Sequence, residues 1–164
     1  MSVEKELPYR LGVGMMLINK QGKVFVGKRI DTSSEAWQMP QGGVDEGEPT
    51  TTAAFRELHE EVGTQEAVII AQSEDYYYYD LPDELVPKVW GGKFRGQKQK
   101  WFVFLFEGSD SDININTEDP EFCEWKWVDP EDLPNVIVPF KKDVYSAILS
   151  EFKNVIEKIN EADL

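Results

Sequence analysis

The stretch from Gly42 to Gly63, GGVDEGEPTTTAAFRELHEEVG, constrains this chain more than any other. It reads as a glycine-rich loop entering a short helix with a dense acidic cluster. The helix is predicted to start near Pro49, which suits a first-turn position, and to stop at Gly63, a left-handed cap. At about 100° per residue, Glu57, Glu60 and Glu61 share one arc of the helix surface. Ala54, Phe55, Leu58 and Val62 share another, which can pack on a core. Carboxylates crowded this way repel and weaken a helix. A hard divalent cation reverses that repulsion, because magnesium and manganese prefer oxygen ligands. Acidic residues alone also fit a solvated helix face; the glycines and Arg56 in register weigh against it.

The 164 residues suit one domain, 1–164, and a hydrophobic share of 41% suits a real core. No apolar run is long enough to span a bilayer, so no membrane partner is expected. The start, Met1 to Glu6, is polar and acidic, unlike a signal peptide. The single Cys123 excludes an internal disulfide and fits a reducing compartment, which predicts a cytoplasmic location. A net charge of −14 argues against non-specific nucleic-acid binding. A phosphate-rich substrate would need metal ions and local basic groups. Two basic islands offer those groups: Lys93, Arg95, Lys98 and Lys100, and then Lys141-Lys142.

Strands are predicted over Leu11–Ile18 and Lys23–Arg29, joined by a turn at Asn19-Lys20-Gln21-Gly22. Ile30–Ala36 reads as a polar loop and Trp37–Pro40 as a short extended piece. Further strands are expected at Val68–Gln72, Tyr76–Tyr79, Trp101–Phe106 and Glu124–Val128. Leu81–Lys100 reads as irregular, and Gly108–Pro120 as a mobile polar connection. Lys141–Ile159 forms a final amphipathic helix with Val144, Ile148, Phe152, Val155, Ile156 and Ile159 inward. This order predicts an α/β fold, an α/β/α sandwich around a mixed sheet.

Glycine, five residues, glutamate, seven residues, then Arg-Glu-aliphatic-any-Glu-Glu-any-Gly fits Gly42, Glu48, Arg56, Glu57, Leu58, Glu60, Glu61 and Gly63. This spacing resembles the signature box of the Nudix hydrolases, with Thr64 where an aliphatic residue usually closes it. The resemblance implies cleavage of a phosphoanhydride with Mg2+ or Mn2+, two or more ions. It implies Glu57, Glu60 and Glu61 as metal ligands, one of them serving as general base. Gly42 lets the backbone approach the ions and counts with the metal set. Arg56 would hold the geometry of the cluster, and Glu48 would orient the loop or bind an ion through water.

Pro8-Tyr9-Arg10, Trp37–Gly43, Tyr79-Asp80-Leu81-Pro82, the element GQKQKWF at 96–102, Pro120-Glu121-Phe122 and Pro139–Tyr145 resemble one bacterial branch of that family. Its members hydrolyse dinucleoside polyphosphates or the 5′ pyrophosphate of RNA. The likeness runs from about residue 7 to 152. It implies Glu121 as a further metal ligand or as the base. Arg29 and Phe140 would sandwich a nucleobase, and Arg10, Gln97, Lys98 and Lys100 would contact phosphates, with Lys141 in the second basic island. Tyr79 would contact nucleotide or phosphate, while Tyr76 to Tyr78 pack in a strand. Cys123 stands where an Asp is common and reads as a small apolar substitute; His59, off the carboxylate arc, faces solvent. The loop Trp90–Gln97 and Tyr79–Pro82 favour a diadenosine tetraphosphate substrate, cut to ATP and AMP. The alternative is an RNA 5′ pyrophosphohydrolase. A non-catalytic nucleotide-binding module, and an enzyme for oxidised nucleotides or nucleotide sugars, are further alternatives.

Overall fold

Alternation along Tyr9–Ile18 (β1) sends Val13, Met15 and Leu17 to one face and Met16 and Ile18 to the other. Both sets are fully buried, so this strand needs cover on both sides. The computed structural model describes residues 7–30 and 36–162 and supplies that cover. After β1 come Val24–Arg29 (β2), Trp37–Gln38 (β3), Gln41–Gly43 (β4) and the helix Thr50–Val62 (α1). Ala67–Gln72 (β5), Tyr77–Asp80 (β6), Gly96–Phe106 (β7) and Phe122–Val128 (β8) follow. The chain closes with Leu133–Val136 (α2), Lys142–Glu151 (α3) and Lys153–Ala162 (α4).

The strands form one sheet in the order β3-β2-β1-β7-β5; β4 also pairs β1, β6 pairs β7, and β8 pairs β2. β1 and β7 run parallel from Tyr9↔Gly96 to Ile18↔Leu105, and the other pairings are antiparallel. The mixed sheet predicted from sequence is therefore present. Ala53, Ala54, Leu58 and Val62 of α1 cover the face of Val13, Met15, Phe102 and Phe104. Val144, Ile148, Phe152 and Ile156 cover the other, with Met16, Trp101 and Val103. Asn19 builds the first hairpin turn, its Oδ1 accepting the Gln21 and Lys23 N–H groups, and Gly22 takes φ 79. Among the described residues no helix is long and apolar enough to cross a membrane.

Four expectations change. β7 begins at Gly96, inside the predicted irregular segment, because pairing with β1 and β6 satisfies backbone that local composition disfavours. The final helix is two helices. Phe152 leaves helical geometry at φ −97, ψ 11, while Ile148, Phe152 and Ile156, spaced four apart, all stay buried. The Gly108–Pro120 connection is tied down: Ile113 is buried, and the Asn114 N–H donates to the Val62 carbonyl at the end of α1. Phe55 is exposed, meeting Phe104 in a T-shaped contact, whereas Glu61 is buried. The helix is turned so that its buried stripe runs through Ala53, Leu58 and Glu61, drawing the acidic arc partly inside. The predicted loop Ile30–Ala36 falls mainly on residues 31–35, outside the described residues.

Candidate active site

Glycines make the room in which the site is built. Gly42 and Gly43 of β4 pair with Val13 and Gly12 of β1. A Cβ on Gly42 would stand 2.0 Å from the Glu57 carboxyl carbon, and one on Gly43 would stand 2.0 Å from Arg10 Nη2. The missing side chains let an acid and a guanidinium press on the strand. Gly42→Ala should displace the Glu57 carboxylate and cut turnover roughly tenfold or more, because a shift of about 1 Å in a reacting group can cost 10²-fold. Steady-state kinetics would check this, with circular dichroism confirming the fold.

Arg56 ties the loop to the helix. Its Nε and Nη2 donate to both carboxylate oxygens of Glu48 at 2.9 and 2.8 Å. Nη2 also reaches the Gly43 carbonyl at 3.0 Å, and Nη1 reaches Glu57 Oε1 at 2.9 Å and Glu60 Oε2 at 3.3 Å. Such forked, charge-assisted bonds set both distance and plane. Glu48 also accepts the Asp45 N–H, and its carboxyl is held down to about 2, chiefly by the Arg56 hydrogen bond. Glu48 therefore orients the loop, one of its two predicted roles. Gly63 takes φ 76 and donates to the His59 carbonyl, ending the helix where predicted.

Glu61 is 6% exposed and accepts the Gln41 N–H at 3.0 Å. Burial pushes its carboxyl well above the usual range; the nearby charges of Glu57 and Glu121 push the same way. Glu57 is also raised, first by burial, against the pull of Arg56. Glu121, on the loop before β8, thus stands within electrostatic reach of the helix and pairs with Arg29 at 3.5 Å. Glu60 is more exposed and leans on Arg56. Among the described residues, no three acidic, His or Cys side chains converge tightly enough to hold an ion as they stand. The donor set nevertheless fits a hard divalent cation. It is made of carboxylates, one of them buried among like charges, with a cradle at Gly42 that a Cβ would fill.

A basic and aromatic wall faces this cluster. Lys141 is buried, its Nζ 5.1 Å from the Tyr79 ring centroid and 3.4 Å from Gln41 Oε1. Burial first, then the Arg29 charge, lowers its ammonium to about 8, opposed by Glu61. Phe140 packs against Tyr79 with centroids 5.9 Å apart. Tyr79 is pushed up to about 12 by burial. Arg10 lies 5.2 Å over the Trp90 ring.

Of the residues proposed from sequence, Arg10, Arg29, Arg56, Glu57, Glu60, Glu61, Glu121, Tyr79, Phe140 and Lys141 therefore border one region. Four stand otherwise than expected. Lys98 and Lys100 alternate with Gln97 and Gln99 on β7, so they leave by the opposite face and lie over Tyr76, at 5.6 and 6.0 Å. Gln97 has the right face but is fully buried; its Oε1 accepts from Tyr79 and Gln99, while its Nε2 has no hydrogen-bond partner among the described residues. Lys141, read as part of a basic island, is inside the fold. Two participants went unread in the sequence, Gln41 and Gln99; the polar residues of GQKQKWF on one strand face were the available signal. Cys123 and His59 are both exposed.

An acid-bearing loop and helix, set against a cationic wall on a mixed sheet, define a hydrolase of phosphoanhydrides. The chain belongs to the Nudix family: residues 8–148 match the NUDIX domain. It is 54% identical over 151 residues to an RNA pyrophosphohydrolase of Rickettsia bellii (strain OSU 85-389), covering 92% of this chain and 94% of that protein. It is 52% identical over 152 residues to an RNA pyrophosphohydrolase of Rickettsia rickettsii (strain Sheila Smith), covering 93% and 94%. Among solved structures, the E. coli dihydroneopterin triphosphate pyrophosphohydrolase superposes with TM-score 0.67 at 19% identity, over 90% of this chain and 99% of that one. A C. elegans Ap4A hydrolase superposes with TM-score 0.61 at 17% identity, over 87% and 98%. These two likenesses speak for the fold alone. The family generally uses divalent metal ions.

Proposed function

We propose that this enzyme removes pyrophosphate from the 5′ end of triphosphorylated RNA: water adds, one phosphoanhydride breaks, and a 5′-monophosphate end and pyrophosphate leave. The observation that carries this reading is the 54% identity, over almost the whole of both chains, to an RNA pyrophosphohydrolase. It displaces the preference for diadenosine tetraphosphate drawn from the loops. Those loop residues have a packing explanation: Trp90 lies beneath Arg10, and Arg95 pairs with Asp80 at 3.1 Å.

Glu57, Glu60, Glu61 and Glu121, with Gly42 beside them, would hold Mg2+ or Mn2+. Bound there, the ions neutralise phosphate charge and make water a better nucleophile. The chain's own groups do the rest. Arg56 keeps Glu57 and Glu60 in place. Arg10, Arg29 and Lys141 supply positive charge for a triphosphate, in a protein whose net charge is −14. Phe140, beside Tyr79, offers a ring for the first bases to stack on. One glutamate of the cluster takes the proton from the attacking water.

Turnover of a 5′-triphosphate RNA oligonucleotide and of diadenosine tetraphosphate should be compared with magnesium present. The RNA end is expected to win by roughly tenfold or more in kcat/KM. Efficient release of ATP and AMP from the dinucleotide, with RNA ends left intact, would overturn the proposal.

A further inference from the structure

Gln99 is 1% exposed in the middle of β7, and its amide is used at both ends. Its Oε1 accepts the Trp101 Nε1–H at 3.0 Å. Its Nε2 donates to Gln97 Oε1 at 2.7 Å and to Gln41 Oε1 at 3.0 Å. Gln41 is the residue where the site's two buried charges meet: its side-chain oxygen accepts from Lys141 Nζ at 3.4 Å, and its main-chain N–H donates to Glu61 Oε2 at 3.0 Å.

The far end of this chain of contacts is rigid. Trp101 fills the space that a side chain on Gly14 would need, 2.2 Å from its ring. It meets Tyr145 edge-on at 6.0 Å, and the Tyr145 hydroxyl oxygen accepts the Met39 N–H at 2.8 Å. The segment from Met39 to Gln41 is therefore held at its start by Tyr145, along its main chain by β1, and at the Gln41 side chain by Gln99. Burying an amide on a strand face is costly unless its polar atoms are paired. An apolar side chain of the same volume would fill this space without that cost. What the amide adds is direction, and one of its three bonds reaches Gln41.

We infer that Gln99 is a positioning residue: through Gln41 it sets where Glu61 and Lys141 stand relative to bound phosphates. The inference rests on the proposed reading of Glu61 as an ion ligand. Gln99→Met keeps the volume and removes every polar contact. Its kcat on triphosphorylated RNA is expected to fall about tenfold, with KM within about twofold, because the loss is one of orientation. Calorimetric titration with Mn2+ alone, without RNA, should show binding weakened roughly fivefold. Gln41→Met lies nearer the rim and should do the same, which keeps the test open if Gln99→Met does not fold. The double variant should be no worse than either single one, since both cut the same link.

Additive losses would overturn the inference, because Gln99 would then act by another route. Folded Gln99→Met and Gln41→Met proteins with unchanged kcat and Mn2+ affinity would overturn it alone, provided Glu61→Gln weakens Mn2+ binding. Unchanged Mn2+ binding in Glu61→Gln would overturn the reading of Glu61, and this inference with it.

Discussion

Glu61→Gln is expected to stop hydrolysis and, without divalent ions, to make the protein harder to unfold. The rate should fall roughly 10³-fold or more, since the variant removes a charged oxygen from the centre of the site. Stability should move the other way. Glu61 is buried, and its carboxyl is raised by burial, Glu57 and Glu121. A carboxyl raised in the folded state contributes stability that is full below its unfolded value, 4.5, and lost as pH climbs through the folded one. Gln keeps the acceptor for the Gln41 N–H and carries no charge. The variant's advantage should therefore grow as pH rises above 4.5. Loss of Glu61's pull on Lys141 offsets part of the gain. A net effect on the order of 1 kcal/mol corresponds to about 2–4 °C in Tm for a chain of this size. Adding Mn2+ should reverse the order, because an ion that binds only the folded wild type stabilises it alone. Melting curves of both proteins across pH, with and without Mn2+, would check each part. RNA turnover near the wild-type rate would sink the enzymatic role given to this glutamate. Complete loss of turnover with nucleotide binding retained would also separate an enzyme from a mere binding module.

Arg56→Lys should be nearly as damaging, although it conserves charge. The guanidinium makes a two-pronged bond to Glu48 and further bonds to Gly43, Glu57 and Glu60. An ammonium is a point charge and cannot reproduce that planar fork. Freed from Arg56, the loop and the Glu57 carboxylate lose their common anchor. We expect a fall in kcat of roughly 10²-fold. The folded protein should also lose stability, because the charged hydrogen bonds of the fork go with it. The pH dependence separates this from a packing defect. Glu48 is held down to about 2, so its contribution is present above the ordinary carboxyl value of 4.5 and lost as pH falls toward 2. The gap in Tm between wild type and Arg56→Lys should narrow over that window. A constant gap would place the damage elsewhere.

Much of the site is legible in the order of residues along the chain, for a local reason. The acidic arc, Arg56, the loop glycines and the left-handed cap all lie within one loop and one helix, where spacing along the chain is spacing in space. Glu121, Arg29 and Phe140 are reached only through family resemblance, since they come from separate loops and strands. A sequence reading groups Lys98 and Lys100 with Gln97, because a run of polar residues says nothing about which strand face each one takes. Register with β1 and β6 decides that, sending the glutamines inward and the lysines away. The same kind of decision buries Glu61 and exposes Phe55, although both flank the stripe centred on Leu58. Packing of α1 beneath β4 turns the helix toward its acids.

The amino-acid order alone determined the chemistry on offer: three carboxylates on one helical arc, a guanidinium beside them, and glycines that leave them room. Only the tertiary structure decided which groups lose their water. Burial of Glu61 and Lys141 around Gln41 depends on strands far apart in the chain meeting in one register, and desolvation is what shifts those two charges.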